Sequence, residues 1–168
     1  MSQYFGVKLV KVEIDPVTLK LMPATVSKYI NCNTVCVYAS APTFTHGVVD
    51  PVEELGALCV ERGLGLHVDN CLGGFLLSFL CKLGMLNRQW DFQVPGVTSI
   101  SIDLHKYGFC SKGVSVVCFR DPALRRLTYV PSVDGCEGLY VTPTLQGSRA
   151  GGVIAQAWAT VLYMGENG

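Results

Sequence analysis

Apolar and polar positions fall along the chain in short runs whose period switches between two and about 3.6 residues. Lys8 to Ile14 alternates with period two and reads as a strand that Asp15-Pro16 breaks. Ala24 to Ile30 reads as a helix. Thr34 to Ser40 (TVCVYAS) is an apolar run of the kind buried in a parallel sheet. Pro51 to Arg62 reads as a helix, with proline at its start, Glu53 and Glu54 in the first turn where the dipole favours acids, and Gly63 as its stop. Gly65 to Asp69 (GLHVD) is a strand, Cys71 to Leu83 a helix, Val97 to Ile102 a strand, and Gly113 to Arg120 (GVSVVCFR) another. Gly152 to Met164 is a long apolar helix. Strands alternating with helices over short connections predict an α/β layer, a mostly parallel sheet flanked by helices. The last strand follows its neighbour after a short turn, so that edge is expected to be antiparallel and the sheet mixed.

Composition narrows the classes. The 168 residues are 49% hydrophobic and only 15% charged, with 13 basic and 13 acidic residues. No basic face is available for nucleic acid. The longest apolar stretch, Gly73 to Cys81, is too short to span a bilayer. So lean a surface suggests a piece that buries itself against more chain or a second subunit. The eight cysteines form no CxxC pair, and Cys32 and Cys36 lack a histidine pair, so no metal site is expected.

In open α/β sheets, ligands sit beyond the carboxyl ends of the strands. That rule gathers Ser40 and His46 after one strand, Asp69 after the next, and Asp103, His105 and Lys106 after the third. Each has a plainer reading. Asp69 caps the following helix, Lys106 is a solvated turn lysine, and His67, inside its strand, is a core or supporting histidine. Taken together, a lysine among other cations would have a lowered pKa and act as an imine-forming nucleophile. A carboxylate nearby would pair with a cation. Pyridoxal 5′-phosphate asks for both: an amine for its aldehyde and an acid for its pyridine nitrogen. The small Cys71, Gly73 and Gly74 would let a flat ring approach.

HVDNCLGGFL (67 to 76) and TSISIDLHKYGFCSKG (98 to 113) resemble the two halves of the cofactor site in pyridoxal-phosphate enzymes of the aspartate aminotransferase fold, the group II decarboxylase-like branch. SAPTFTHGVVDPVEELG (40 to 56), DFQVPGVTSIS (91 to 101), PTLQGSRAGG (143 to 152) and GENG (165 to 168) extend the similarity and point, within that group, to the sphingosine-1-phosphate lyase family. The resemblance implies that Lys106 holds the cofactor aldehyde as an imine, Asp69 pairs with the ring nitrogen and Cys71 lies against the ring. It places His105 by the phosphate, with Asp103 and Ser40 in the same cofactor-binding set, and makes Lys112 a second functional lysine and His46 part of a loop near the cofactor. Ser148 and Arg149 are expected near a phosphate, across a dimer interface. Two departures stand out: Asn70 replaces a usual alanine, and Cys110-Ser111 replace a usual Ala-Pro, losing a proline that fixes φ.

The implied activity is cleavage of the C2–C3 bond of a phosphorylated long-chain base, giving a fatty aldehyde and phosphoethanolamine, in a homodimer tethered to the cytosolic face of the endoplasmic reticulum by an N-terminal anchor absent from these residues. The resemblance makes residues 1–168 a partial cofactor-binding large domain, lacking the phosphate-loop segment and the small domain and expected to be inactive alone. Two other readings stay open: an amino-acid decarboxylase using the same cofactor, and a non-catalytic remnant.

Overall fold

The structure, a computed structural model, describes residues 2–136 and 138–166. A short helix α1 (Ser2–Phe5) and an extended segment lead to α2 (Pro23–Ser27). Then follow β1 (Cys36–Ser40), α3 (Val52–Arg62), β2 (Gly65–Asp69), α4 (Gly73–Lys82), β3 (Val97–Asp103) and β4 (Ser115–Phe119). The chain continues through α5 (Pro122–Arg126), a hairpin of β5 (Val130–Ser132) and β6 (Tyr140–Thr142), and α6 (Gly151–Met164). The main sheet has the order β1-β2-β3-β4, its first three strands parallel and β4 antiparallel to β3. This is the mixed, mostly parallel sheet that the pattern predicts.

Alternation sorts the strands into two faces. Val37, Ala39, Leu66, Val68 and Ile100 are buried and share one core with Val52, Leu55 and Cys59 of α3 and Leu77 of α4. The intervening residues Tyr38, His67, Asp69, Ser99, Ser101 and Asp103 are polar and only partly covered. Parallel sheets are usually covered on both faces. Here the helices α3 and α4 cover the apolar one, and the polar face remains open to a ligand.

Helix α3 begins after Pro51, carries Glu53 and Glu54 in its first turn, and stops at Gly63, whose φ of 64° is the left-handed conformation glycine adopts at little cost. The strand expected over Lys8 to Ile14 does not form. That segment pairs with no strand among the described residues; Val12 packs on the core while Leu9, Val10 and Ile14 stay exposed. Alternation specifies a face, but a strand also needs a neighbour to take its N–H and C=O groups, and none lies beside it. Helix α2 ends at Ser27, three residues before the expected Ile30.

Candidate active site

The row at the carboxyl ends of the strands is set by register: Ser40 stands opposite Asp69, and Asp69 opposite Ser101. Two residues further along β3, on the same face, comes Asp103. The Asp69 carboxylate is closely held. Tyr38 Oη donates to its Oδ2 at 2.7 Å, while the Cys71 amide donates to Oδ1 at 2.9 Å and Ser101 Oγ at 3.4 Å. Burial pushes this carboxyl up, but those donors outweigh it and hold it below the ordinary carboxylate range, so it is ionised at neutral pH. The amide bond from Cys71 forms a local turn. Helix α4 starts later, with Leu72 at its N-cap and no side-chain cap, so Asp69 does not cap it.

His67 sits behind this carboxylate as a supporting residue. Its Nδ1 is 2.8 Å from Ser99 Oγ and its Nε2 3.2 Å from Ser101 Oγ. Burial lowers its pKa against the opposing pull of Asp69, which favours the neutral ring. Ser101 spends its one proton on Asp69, so it must accept from Nε2–H, and Nδ1 must accept from Ser99. A directed chain of hydrogen bonds therefore runs from Ser99 through His67 and Ser101 to Asp69.

Lys106 lies in the turn after β3, with Nζ 2.9 Å from Asp103 Oδ2. Burial pulls its pKa down, but Asp103 and Cys71 more than reverse this, and the net shift is upward. This corrects the expectation of a lowered pKa: the groups around the amine are acceptors rather than cations. Asp103 Oδ1 accepts from Ser115 Oγ of β4. Burial raises the Asp103 carboxyl, yet Ser115, Lys106 and His105 together bring it below its usual value. His105 Nδ1 is 2.7 Å from the Val114 carbonyl, which can only accept, so Nδ1 carries hydrogen and Nε2, 3.9 Å from Asp103 Oδ2, is left for another partner. Burial raises the Cys71 thiol pKa, with Lys106 pulling it down and Asp69 pushing it up.

The glycines beside Asp69 serve packing. A Cβ on Gly73 would lie 1.9 Å from the Ala41 carbonyl oxygen, and one on Gly74 would lie 2.5 Å from Ile102. They let the start of α4 press against the sheet, so the expectation that they clear room for a flat ring is corrected: protein atoms fill that room.

Other expected site residues lie further from this cluster. Ser40 contributes its amide, 2.9 Å from Oδ2 of the buried Asp50, whose Oδ1 also accepts from the Leu21 amide at 2.8 Å. His46 is exposed in the turn after β1, its Nδ1 3.0 Å from Thr45 Oγ1. Lys112 is exposed in the loop before β4; beside it, Cys110 is buried and Ser111 Oγ accepts from Gln156 Nε2 of α6 at 2.8 Å. Ser148 is exposed just before α6, and Arg149 is hydrogen-bonded to Gln146 and Thr144. No described contact joins His46, Lys112 or Ser148 to Asp69 or Lys106. Sequence reasoning missed Tyr38, Ser101 and Asp50; period-two alternation from Ser40 and Asp103 could have placed Tyr38 and Ser101 on the site face.

The pyridoxal-dependent decarboxylase conserved domain matches residues 1–168. The chain belongs to that family. Among its relatives in the family, the chain is 49% identical to sphingosine-1-phosphate lyase of Saccharomyces cerevisiae, covering 99% of this chain and 28% of that protein. It is 47% identical to the Arabidopsis thaliana protein of the same name, covering 99% and 30%. A Burkholderia pseudomallei sphingosine-1-phosphate lyase structure superposes with a TM-score of 0.95 at 41% identity, covering 99% of this chain and 38% of that one. Lactobacillus brevis glutamate decarboxylase superposes with a TM-score of 0.83 at 22% identity over 99% of this chain and 38% of that one, a likeness of fold. The chain thus spans about a third or less of the yeast and plant relatives it matches. The α/β architecture expected from the sequence, a mixed sheet flanked by helices, is that of the pyridoxal-dependent solved structures it superposes on. The donor set fits the family's cofactor: an amine and an ionised carboxylate at neighbouring strand ends.

Proposed function

We propose that these residues form part of the large, cofactor-binding domain of a pyridoxal-phosphate-dependent lyase that cleaves the C2–C3 bond of phosphorylated sphingoid bases. The observation that carries this reading is the placement of Lys106 and the ionised Asp69 at the carboxyl ends of adjacent parallel strands. The lyase reading is favoured over the amino-acid decarboxylase by sequence: 41–49% identity to proteins named sphingosine-1-phosphate lyase against 22% to a glutamate decarboxylase.

Bound pyridoxal phosphate would supply an aldehyde that captures amines and a protonated ring that accepts the electrons of the breaking bond. Lys106 supplies the amine, which Asp103 Oδ2 holds at 2.9 Å in the free protein. Asp69 holds positive charge at the ring nitrogen, and Cys71 borders the ring. His105 is assigned to the phosphate side of the cofactor by the resemblance, its ring held by the Nδ1–H bond to the Val114 carbonyl. Lys112, His46 and Ser148 are assigned to substrate and phosphate handling, with Asp103 and Ser40 completing the cofactor-binding set. The substrate's C3 hydroxyl gives up its proton as the C2–C3 bond breaks, and C2 is then protonated; a long-chain aldehyde and phosphoethanolamine leave.

A homodimer belongs to this reading, supported by the resemblance and by the exposed Ile154, Trp158, Leu162 and Tyr163 of α6. So does attachment to the endoplasmic reticulum facing the cytosol, which rests on the resemblance alone. No described helix is long and apolar enough to cross a membrane.

The test is product analysis on the full-length protein with added cofactor. A phosphorylated long-chain base should yield aldehyde and phosphoethanolamine in equal amounts. Release of carbon dioxide from an amino acid, with the phosphorylated base untouched, would instead support the decarboxylase.

A further inference from the structure

Tyr38 lies one strand away from Asp69, and its phenol makes the shortest contact that carboxylate has, 2.7 Å to Oδ2. The two residues sit on the open face, where β1 and β2 run parallel with Tyr38 opposite His67 and Ser40 opposite Asp69. The ring is steadied by His67, with centroids 5.0 Å apart and planes inclined at 36°. Although the residue is 58% exposed, its hydroxyl is turned inward onto the acid.

A carboxylate offers about four lone-pair directions. Three are taken here, by Tyr38 on Oδ2 and by the Cys71 amide and Ser101 on Oδ1. One direction on Oδ2 is left. We infer that Tyr38 is a positioning residue: its phenol fixes the plane of the Asp69 carboxylate and stabilises its charge, so that the remaining Oδ2 lone pair is presented to the ring nitrogen of the cofactor. This rests on the reading of Asp69 as the nitrogen's partner.

Hydrogen bonding works in the same direction on both partners. Burial and the adjacent Asp69 push the Tyr38 phenol up, so it remains a donor throughout the pH range of a working enzyme. The other titratable groups around the pair are His67, Cys71, Asp103 and Lys106. None of them donates to Oδ2, so loss of the phenol leaves that oxygen without a protein partner among the described residues.

The experiment uses the full-length protein with Tyr38→Phe, Ser101→Ala and Asp69→Asn. Carbon-13 NMR of the cofactor-free protein reads the Asp69 carboxyl titration, and equilibrium dialysis reads pyridoxal phosphate affinity. Tyr38→Phe is expected to move the Asp69 titration up toward the ordinary carboxylate range, by more than Ser101→Ala, whose bond is longer. It is also expected to weaken cofactor binding. Asp69→Asn should weaken binding about tenfold or more, the scale of a lost charge-assisted hydrogen bond. If Asp69→Asn weakens binding while Tyr38→Phe leaves the Asp69 titration where it was, the role of Tyr38 is overturned and that of Asp69 stands. If Asp69→Asn binds cofactor as well as the parent protein, the reading of Asp69 fails, and the inference fails with it. Phenylalanine keeps the stacking surface, so a folded variant is expected; circular dichroism checks it.

Discussion

Lys106 Nζ lies 2.9 Å from Asp103 Oδ2, three residues earlier on the same strand end. The pair holds the amine protonated in the free protein. Lys106 has a raised pKa despite burial, so its share of the pair's stabilisation is present below its unfolded value and fades as pH rises through the folded one. Asp103 has a lowered pKa despite burial, so its share is present above the unfolded value of 3.8 and fades as pH falls through the folded one. Between those limits the pair is intact. Asp103→Asn removes the acceptor charge, and Lys106 should then lose its proton at lower pH. The rate of reductive methylation of Lys106, followed by peptide mass spectrometry against pH, should show its midpoint displaced downward; an unmoved midpoint would mean Asp103 does not hold the proton.

Cofactor attachment gives a second check. In the full-length protein, Lys106→Ala should abolish the borohydride-reducible link between protein and pyridoxal phosphate and with it turnover. Lys112→Ala should keep the link, because Lys112 sits in an exposed loop without a described contact to Asp69 or Cys71. A reduced adduct mapped to Lys112 in the parent protein would reverse the assignment.

The glycines make opposite predictions at two helix starts. Gly73→Ala drives a methyl to 1.9 Å from a backbone oxygen, which cannot move aside without shifting the end of β1 or the start of α4. A loss of roughly 1–3 kcal/mol or more is expected, the scale of overpacking. Gly152→Ala in α6 meets nothing within 4 Å and should be neutral or stabilising by up to about 1 kcal/mol. Urea unfolding of both variants measures the contrast.

Local rules carried most of the central layer. The strand β2 spans Gly65–Asp69 as its alternation indicates, and Pro51, Glu53 and Gly63 mark α3 closely because proline, dipole and left-handed glycine each act within one turn. The segment Lys8 to Ile14 shows the limit: its pattern is strand-like, but pairing depends on a neighbour remote in sequence. The short α5 was readable from Asp121-Pro122, where Asp121 Oδ1 accepts the Ala123 amide at 2.7 Å. In the site, Asp69 and Lys106 were legible as strand-end residues. The raised pKa of Lys106 was not, since it depends on which side chain a turn folds back onto the amine. Tyr38 was missed because an aromatic in a strand reads as core.

Asn70 is fully buried, and neither its Nδ2 nor its Oδ1 has a hydrogen-bond partner among the described residues. Its backbone is satisfied, the amide by the Ser101 carbonyl and the carbonyl by Gly74. The side chain therefore carries a desolvation cost of about 1–3 kcal/mol that a methyl would not. Asn70→Ala should raise the thermal midpoint, with the smaller side chain returning part of the gain as lost packing. A lowered midpoint would show that the amide has a partner in the full-length protein.

Gln156 on α6 bears on the Lys112 loop. Its Nε2 donates to Ser111 Oγ at 2.8 Å, and one residue earlier the Cys110 thiol faces the Ala157 carbonyl at 3.7 Å. These two contacts tie residues 110 and 111 to the helix at the positions where the resembling family carries Ala-Pro. A proline would stiffen the loop through its own ring; here the restraint comes from across the fold. One side-chain hydrogen bond contributes about 0.5–1.5 kcal/mol, which corresponds to roughly a two- to tenfold change in a local opening equilibrium. Gln156→Leu keeps the bulk and removes the donor. Amide hydrogen exchange around Ser111 and Lys112 in the full-length protein should then quicken by that factor, while exchange in β2 stays as it was. Replacing Ser111 by alanine should quicken the loop to the same extent, and combining the two changes should add little, because both delete one bond. Fully additive effects would mean that Gln156 and Ser111 act on the loop separately and that the hydrogen bond does not hold Lys112 in place.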